Sequence, residues 1–573
     1  MLAIQKKFVA YLQELDKILG DEEISYDKTL IDRITNTELA VPVVGIFSVG
    51  KSSLLNDVIG NDVLPVGIAP ETELATELRY SPESHLIAVH KDGVEERLPV
   101  DALRSNDWKN SDCSHLRLYY DSDSLKHLEP FVLVDMPGYG SSLENHNQAI
   151  AYYLPRGVHF VVVNSVESGT LSQSELRNME ELERYGTGFS CVLSKCNLRS
   201  PQQVDEVRAH IDDQLGVYFD EKLKSVPIGL HEGKRFVEIL NGLDPNAIFS
   251  DLFVDMLKDQ SFDLLDQINL AISTLHKDDA ENERTAQALQ QALDELQGER
   301  EDTSRRIQAQ YSGRLVDRAL KHVNQSLNSA LEELTDYALS GNSTLLGNAV
   351  TDIVRSSLTE SIQNEVGNIN QEMINGLSAK LSGIELTNTE SDSDWNEALS
   401  GRVKAGMERS SGILGDWSNR IHEHLQSKQQ EATGTNAQNR VMLYRAVSTT
   451  LAVTTTIVNP LIELAIIFLP DIIKLFKQGQ ERDKMKQRLQ TEVFPTLKAR
   501  LRTELPAIAQ KQLAKELEGI NDQFEMQIKK QQRIIEENRL KQEEGANAKE
   551  IRIQELETLQ QRIKALADHY LYA

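Results

Sequence analysis

The chain has 573 residues and a formal net charge of -27, with 88 acidic and 61 basic side chains. That length exceeds what one hydrophobic core serves, so about three or four structural units are expected. So acidic a chain is a poor partner for nucleic acid, whose phosphates need a basic footprint, and no nucleic-acid partner is expected.

Few aromatic residues (6%) against many charged ones (26%) favour a largely helical protein over a compact β protein. Three cysteines, Cys113, Cys191 and Cys196, define no disulfide framework.

Residues 1–37 read as helices that pack on the neck of a stalk, with Ile4, Phe8, Leu12, Leu15 and Leu19 at helical spacing. The first twenty residues have no apolar secretory run and no cleavage site, so the default location is cytoplasmic. From 38 to 245 the texture changes. Short apolar runs begin at Val41, Ala75, Leu86, Leu116, Phe131, Phe160, Phe189 and Val226, alternating with helical stretches. Asp92-Gly93 between two of them signals a hairpin. This is the pattern of an α/β domain with a mainly parallel sheet flanked by helices. Residues 246–440 read as a helical neck and stalk, with Leu289, Leu293 and Leu296 on one face. Residues 441–480 are strongly apolar. Residues 481–573 return as helices, with Leu556, Leu559, Ile563 and Leu566 forming a seam below a break at 545–548.

Four short elements inside 38–245 point to one chemistry. The run from Gly45 to Ser53 fits G-x-x-x-x-G-K-[ST] between an apolar strand and a helical run. Backbone N–H groups of such a loop cradle phosphates, Lys51 neutralises the β and γ phosphates, and the Ser52 hydroxyl suits Mg²⁺. Second, Val132 to Gly138 is an apolar strand ending in Asp135, with Gly138 three residues on. Such a carboxylate holds Mg²⁺ through water, and the glycine N–H bonds the γ-phosphate. Third, a threonine between Val63 and Thr76 would complete the metal shell. Thr72 and Thr76 are the candidates; Thr76 opens a strand, so Thr72 is preferred. Fourth, Val192 to Asn197 occupies the base-recognition slot, with Lys195 packing over the base. There Asn197 stands where an acid normally accepts two hydrogen bonds from guanine, which predicts weakened guanine selectivity.

Together these stretches resemble the bacterial dynamin-like proteins. Residues 60–82 resemble that family's first switch, and residues 135–180 its second switch with the strand and helix that follow. The resemblance places Gly45, Ser48, Val49, Gly50, Lys51, Ser52 and Ser53 on the phosphate loop, Asp135 and Gly138 on the second switch, and Lys195 and Asn197 at the base. It puts Ser48, Lys51 and Thr72 in catalysis, and Ser52, Thr72 and Asp135 around Mg²⁺. It implies a GTPase that binds GTP and GDP and associates with itself, through its GTPase domains and stalk, and with other dynamin-like chains. Phe47 stands where eukaryotic dynamins use a glutamine to position water, which implies slow turnover.

The run from Met442 to Phe476 contains Leu451, Ile457, Val458, Pro460, Leu461, Ile462, Ile466, Ile467 and Phe468. Its uninterrupted part ends before Asn459-Pro460 and spans about 20 Å, short of the roughly 30 Å hydrocarbon core. The preferred reading is a helical hairpin dipping into one leaflet; a buried core hairpin and a true span are the alternatives. Lys474, Lys477, Arg482, Lys484, Lys486, Arg488, Lys498, Arg500 and Arg502 follow it, opposed by Glu481, Asp483 and Glu492. That local basic cluster suits anionic lipid. The whole reads as an α/β P-loop GTPase domain on an elongated all-α stalk with an apolar hairpin tip, a peripheral membrane protein that remodels bilayers. The alternative is an assembly or signalling GTPase, or a nucleotide-gated scaffold, whose hairpin binds a protein.

Overall fold

The computed structural model describes most of residues 1–276, 313–368 and 482–572. Breaks fall at 21–23, 25, 47, 67–73, 91, 106–112, 139–148, 150–151, 154–155, 185–187 and 341–345, at a few single positions, and at 543–545. Only isolated positions are described between 277 and 312, and residues 369–481 lie outside the described residues.

A nine-stranded sheet organises the N-terminal part. Its strands are β1 (Leu39–Val44), β2 (Thr76–Tyr80), β3 (His85–His90), β4 (Glu95–Leu98), β5 (Cys113–Tyr120), β6 (Phe131–Asp135), β7 (His159–Ser165), β8 (Gly188–Ser194) and β9 (Ser225–Pro227). The order is β4-β3-β5-β2-β6-β1-β7-β8-β9. From β6 through β1, β7 and β8 to β9 every pairing is parallel. β2 runs antiparallel to β6, and β3 antiparallel to both β4 and β5. The central strands β6 and β7 are buried along their whole length, as parallel strands covered on both faces must be. Pro42 sits inside central β1 and cannot donate to a ladder. The β1–β7 pairing accordingly breaks there, with a bridge from Ala40 to Gly157 before it and regular pairing from Val43 after it.

The expected hairpin forms at Asp92-Gly93. Gly93 has φ +86°, and the Val94 N–H donates to Asp92 Oδ1 at 3.0 Å. Sequence periodicity misses β4, because Glu95–Leu98 is an exposed, charged edge strand with no alternation.

After Pro227 the described elements are helical. The Ala3–Leu19 helix buries Phe8, Tyr11, Leu12, Leu15 and Leu19 against the Pro245–His276 and Ala546–Ala567 helices. Leu556, Leu559, Ile563 and Leu566 are all buried, as their seam spacing requires. Tyr570 reaches back to donate its hydroxyl to Glu14 at 2.7 Å, so both ends of the chain join one bundle. The stalk face of Leu289, Leu293 and Leu296 lies outside the described residues, as does the whole apolar run. Among the described residues no helix is long and apolar enough to cross a membrane.

Candidate functional site

The phosphate loop leaves β1 at Gly45 and enters the Lys51–Ile59 helix. Its backbone needs particular residues. A Cβ on Gly45 would lie 2.3 Å from the Val163 carbonyl oxygen of β7. Gly50 caps the helix in the left-handed region at φ +90°, and Ser48 adopts φ +64°, a strained value for a non-glycine. Val49 is buried beneath the loop, and its carbonyl accepts the Ser194 hydroxyl at 2.5 Å. The same hydroxyl reaches the Asn164 carbonyl at 3.0 Å, so β7, β8 and the loop share one anchor. Ser53 follows Ser52 into the first helical turn.

Lys51 is buried, and its ammonium donates to the carbonyls of Gly45 at 3.1 Å and Ile46 at 3.4 Å. Burial pushes it down to about 8, against the pull of the Asp135 charge. The Ser52 hydroxyl donates to Asp135 Oδ2 at 2.7 Å. Ser52 and the end of β6, 83 positions apart, thereby meet. These hard oxygens suit Mg²⁺, which takes few protein ligands and fills its shell with water and substrate phosphate. Among the described residues no group of three His, Cys, Asp or Glu side chains is placed to hold a metal by itself. Gly138 is buried three residues past Asp135. Thr76 opens β2 directly opposite Asp135 in the antiparallel register and is buried there as a strand residue. Thr72 and Phe47 lie outside the described residues, as do His146 and the tip residues Leu451, Ile457, Val458, Pro460, Leu461, Ile462, Ile466, Ile467 and Phe468.

The segment expected to meet the base closes beside the loop. Lys195, at φ +58°, lays its stem over Gly50: a Cβ there would touch Lys195 Cγ and Cε at 4.0 Å. Its ammonium pairs with Glu167 Oε2 at 2.7 Å. Asn197 lies in a short 3₁₀ turn, and the loop after β9 packs against it, with the Cys196 N–H donating to the Ile228 carbonyl at 3.2 Å. Sequence reasoning placed His231 of that second loop near the site only as a loop residue, and it missed Ser194, Asn164, Glu167 and Glu232. Each joins the site through the sheet order, and no local motif marks it. His231 in that loop adopts φ +60° and its imidazole lies 3.6 Å from Asp57.

Outside the phosphate loop, one buried cluster joins β2 and β5 to Tyr153, shortly before β7. Glu77 of β2 accepts from Arg79 Nη2 at 2.7 Å, Arg117 Nε at 3.2 Å and the Tyr153 hydroxyl at 2.9 Å. Burial raises this carboxyl, but Arg79 and the bonds it receives hold it net below its usual range. His115, 3.7 Å away, is pushed by burial down to about 4.

Residues 41–196 match the profile of the dynamin family. A protein from Caldicellulosiruptor sp. (strain Rt8B.4), described as an uncharacterized protein in the xynA 3' region, is 28% identical over 211 residues. That alignment covers 35% of this chain and 51% of the relative. Dynamin-like protein 2 of Campylobacter jejuni (subsp. jejuni serotype O:23/36, strain 81-176) is 26% identical over 227 residues, 38% of this chain and 37% of the relative. The chain therefore spans about half or less of the length of these relatives. Among solved structures, one described as an oligomerised bacterial dynamin pair aligns over 97% of this chain and 94% of its own, at 14% identity and a TM-score of 0.33.

Proposed function

We propose that this chain, whose residues 41–196 match the dynamin family, hydrolyses GTP and couples the nucleotide cycle to binding and remodelling of a membrane. The observation that carries the reading is the meeting of Lys51, Ser52 and Asp135 at the ends of adjacent parallel strands, with Ser52 Oγ 2.7 Å from Asp135 Oδ2. Ligands of open parallel sheets bind outside such strand ends.

In this reading the loop N–H groups and the buried Lys51 ammonium receive the β and γ phosphates, and Ser52, Asp135 and Thr72 would hold Mg²⁺, which would supply positive charge against those phosphates. Lys195 covers the base. Ser48 and Gly138 close on the γ-phosphate, and its loss on hydrolysis releases both switches. Phe47 stands in the loop sequence in place of a water-positioning glutamine, so turnover is slow. The helices after residue 245 relay the change to residues 441–480, which act as a membrane paddle at the far end of the stalk. The chain associates with itself through GTPase domains and stalk.

One test follows phosphate release and vesicle flotation together. GTP turnover above that of Lys51→Ala, with flotation on anionic vesicles, supports the proposal. Turnover no greater than in Lys51→Ala defeats the enzymatic half; absence of flotation with and without GTP defeats the membrane half.

One structural feature favours the alternative, a nucleotide-gated GTPase or scaffold whose apolar run takes a protein partner. Several of the cations after that run are already matched within the chain. Arg482 pairs with Glu332 at 2.9 Å and with Asp336, Lys486 pairs with Glu332, and Arg502 lies 3.8 Å from Asp317. Cations engaged in this way have less charge to offer anionic lipid.

A further inference from the structure

The base slot has an amide at Asn197 where two hydrogen-bond donors of guanine, N1–H and the 2-amino group, call for an acid. The Asn197 carbonyl can accept one of them, but its NH₂ opposes the other. The fold sets a carboxylate beside it. β9 pairs with β8, so the loop from Ile228 to Gly233 emerges at the same sheet edge as Lys195 to Asn197. A Cβ on Gly229 would touch Asn197 Cβ at 3.7 Å and Glu232 Oε2 at 3.3 Å, so both side chains border one small space.

Glu232 sits at the N-cap position of the Gly233–Asn241 helix, yet its side chain makes no capping bond. It turns back instead, and its Oε2 accepts the Gly229 N–H at 2.6 Å. Arg235 lies 3.6 Å from the same oxygen. One backbone bond uses little of a carboxylate's acceptor capacity. The side chain is 41% exposed, which leaves it open to a ligand. Gly229 has no side chain to stand between Glu232 and Asn197.

We propose that Glu232 is the guanine-reading carboxylate of this chain, accepting the two donors of the base that an acid at Asn197 would otherwise take. The proposal rests on the reading of the site as a GTP site. Asn197 then contributes its carbonyl, and Lys195, held by Glu167, covers the ring. Guanine selectivity is retained through a residue from a neighbouring loop.

The test titrates the full-length chain with fluorescently labelled GDP, ADP and IDP, which lacks the 2-amino group. Wild type is expected to bind GDP at least about 30-fold tighter than ADP, as two charge-assisted bonds allow. Glu232→Gln should weaken GDP about tenfold or more. It should leave ADP unchanged, and the loss for IDP should be smaller. Adding Asn197→Asp to Glu232→Gln should restore GDP binding.

A wild-type preference for GDP that survives Glu232→Gln overturns this inference and leaves the GTPase reading standing. Equal wild-type affinity for GDP and ADP overturns both. Asn197→Asp alone decides the matter without altering Glu232. Beside an existing carboxylate the new one is repelled, so GDP binding should improve less than about threefold. An improvement above about tenfold would show that Asn197 reads the base unaided.

Discussion

Among the described residues, two buried charge clusters are built in opposite proportions. Around Glu77 one carboxylate faces two guanidinium groups, a tyrosine hydroxyl and an imidazole. Where the nucleotide domain meets the helical part, one guanidinium faces two carboxylates. Arg355 Nη2 reaches Glu181 at 2.8 Å and Asp352 at 3.5 Å, with Arg177–Glu333 alongside at 2.9 Å. The outcomes differ in sign. The Glu77 carboxyl is held below its ordinary range, whereas burial pushes Asp352 up to about 6, with Arg355 opposing and Glu181 adding to the rise. A buried carboxylate with surplus donors stays charged. One that competes for a shared guanidinium takes a proton when the medium supplies it.

That asymmetry predicts unequal costs when the central group is removed. Glu77→Ala strands Arg79 and Arg117, which cannot discharge, although each keeps an outer carboxylate, Glu38 and Glu95. It should cost about 3 kcal/mol in urea unfolding at neutral pH. Arg355→Met strands two acids, and acids can protonate. Its cost should be about half that and should shrink further at pH 5. Equal costs that do not vary with pH would break the comparison.

The pH dependence sharpens it further. Asp352 has a folded pKa of about 6 against an ordinary 3.8, so the folded state holds the extra proton between those values. Its contribution to stability is present below pH 3.8 and is lost as pH rises through 6. His115 works in the other direction. Its folded pKa is about 4 against an ordinary 6.5, so the unfolded state binds the extra proton and stability rises over that window. The two slopes oppose each other in the wild type. Asp352→Asn should remove the fall and raise stability at pH 7 by about 3 kcal/mol. His115→Asn should remove the rise. Urea midpoints of both variants from pH 4 to 7 should diverge; parallel curves would refute the assignment.

Neither cluster was legible in the sequence. The Arg355–Glu181 pair is separated by 174 positions, and nothing local to either residue distinguishes it from a solvated charge. What was legible had a local cause. Gly45 and Gly50 mark the phosphate loop because close approach to Val163 and a left-handed backbone admit little else. Apolar runs such as Phe131–Asp135 reveal buried strands because both faces are covered. The Asp92-Gly93 turn shows through its own chemistry. The loop carrying Glu232 had no such mark, because only the pairing of β9 with β8 brings it to Asn197.

The smallest expected effect concerns the cations after the apolar run. Arg482 and Lys486 bond to Glu332, with Asp336 joining on Arg482, and most of these groups face solvent. Exposed pairs gain little over hydrated ions and are screened by salt. Replacing both cations by glutamine should leave the unfolding midpoint unchanged at high salt. Flotation on anionic vesicles should change little as well, because Glu332 and Asp336 already occupy these side chains. Lys474 lies within the last few residues of the apolar run and Lys477 just past its end, and the same replacement there should weaken flotation about fivefold per residue. The reverse ranking would mean that Arg482 and Lys486 leave Glu332 and Asp336 for lipid. These exposed pairs would then act as a releasable clasp, unlike the buried ones around Glu77 and Arg355.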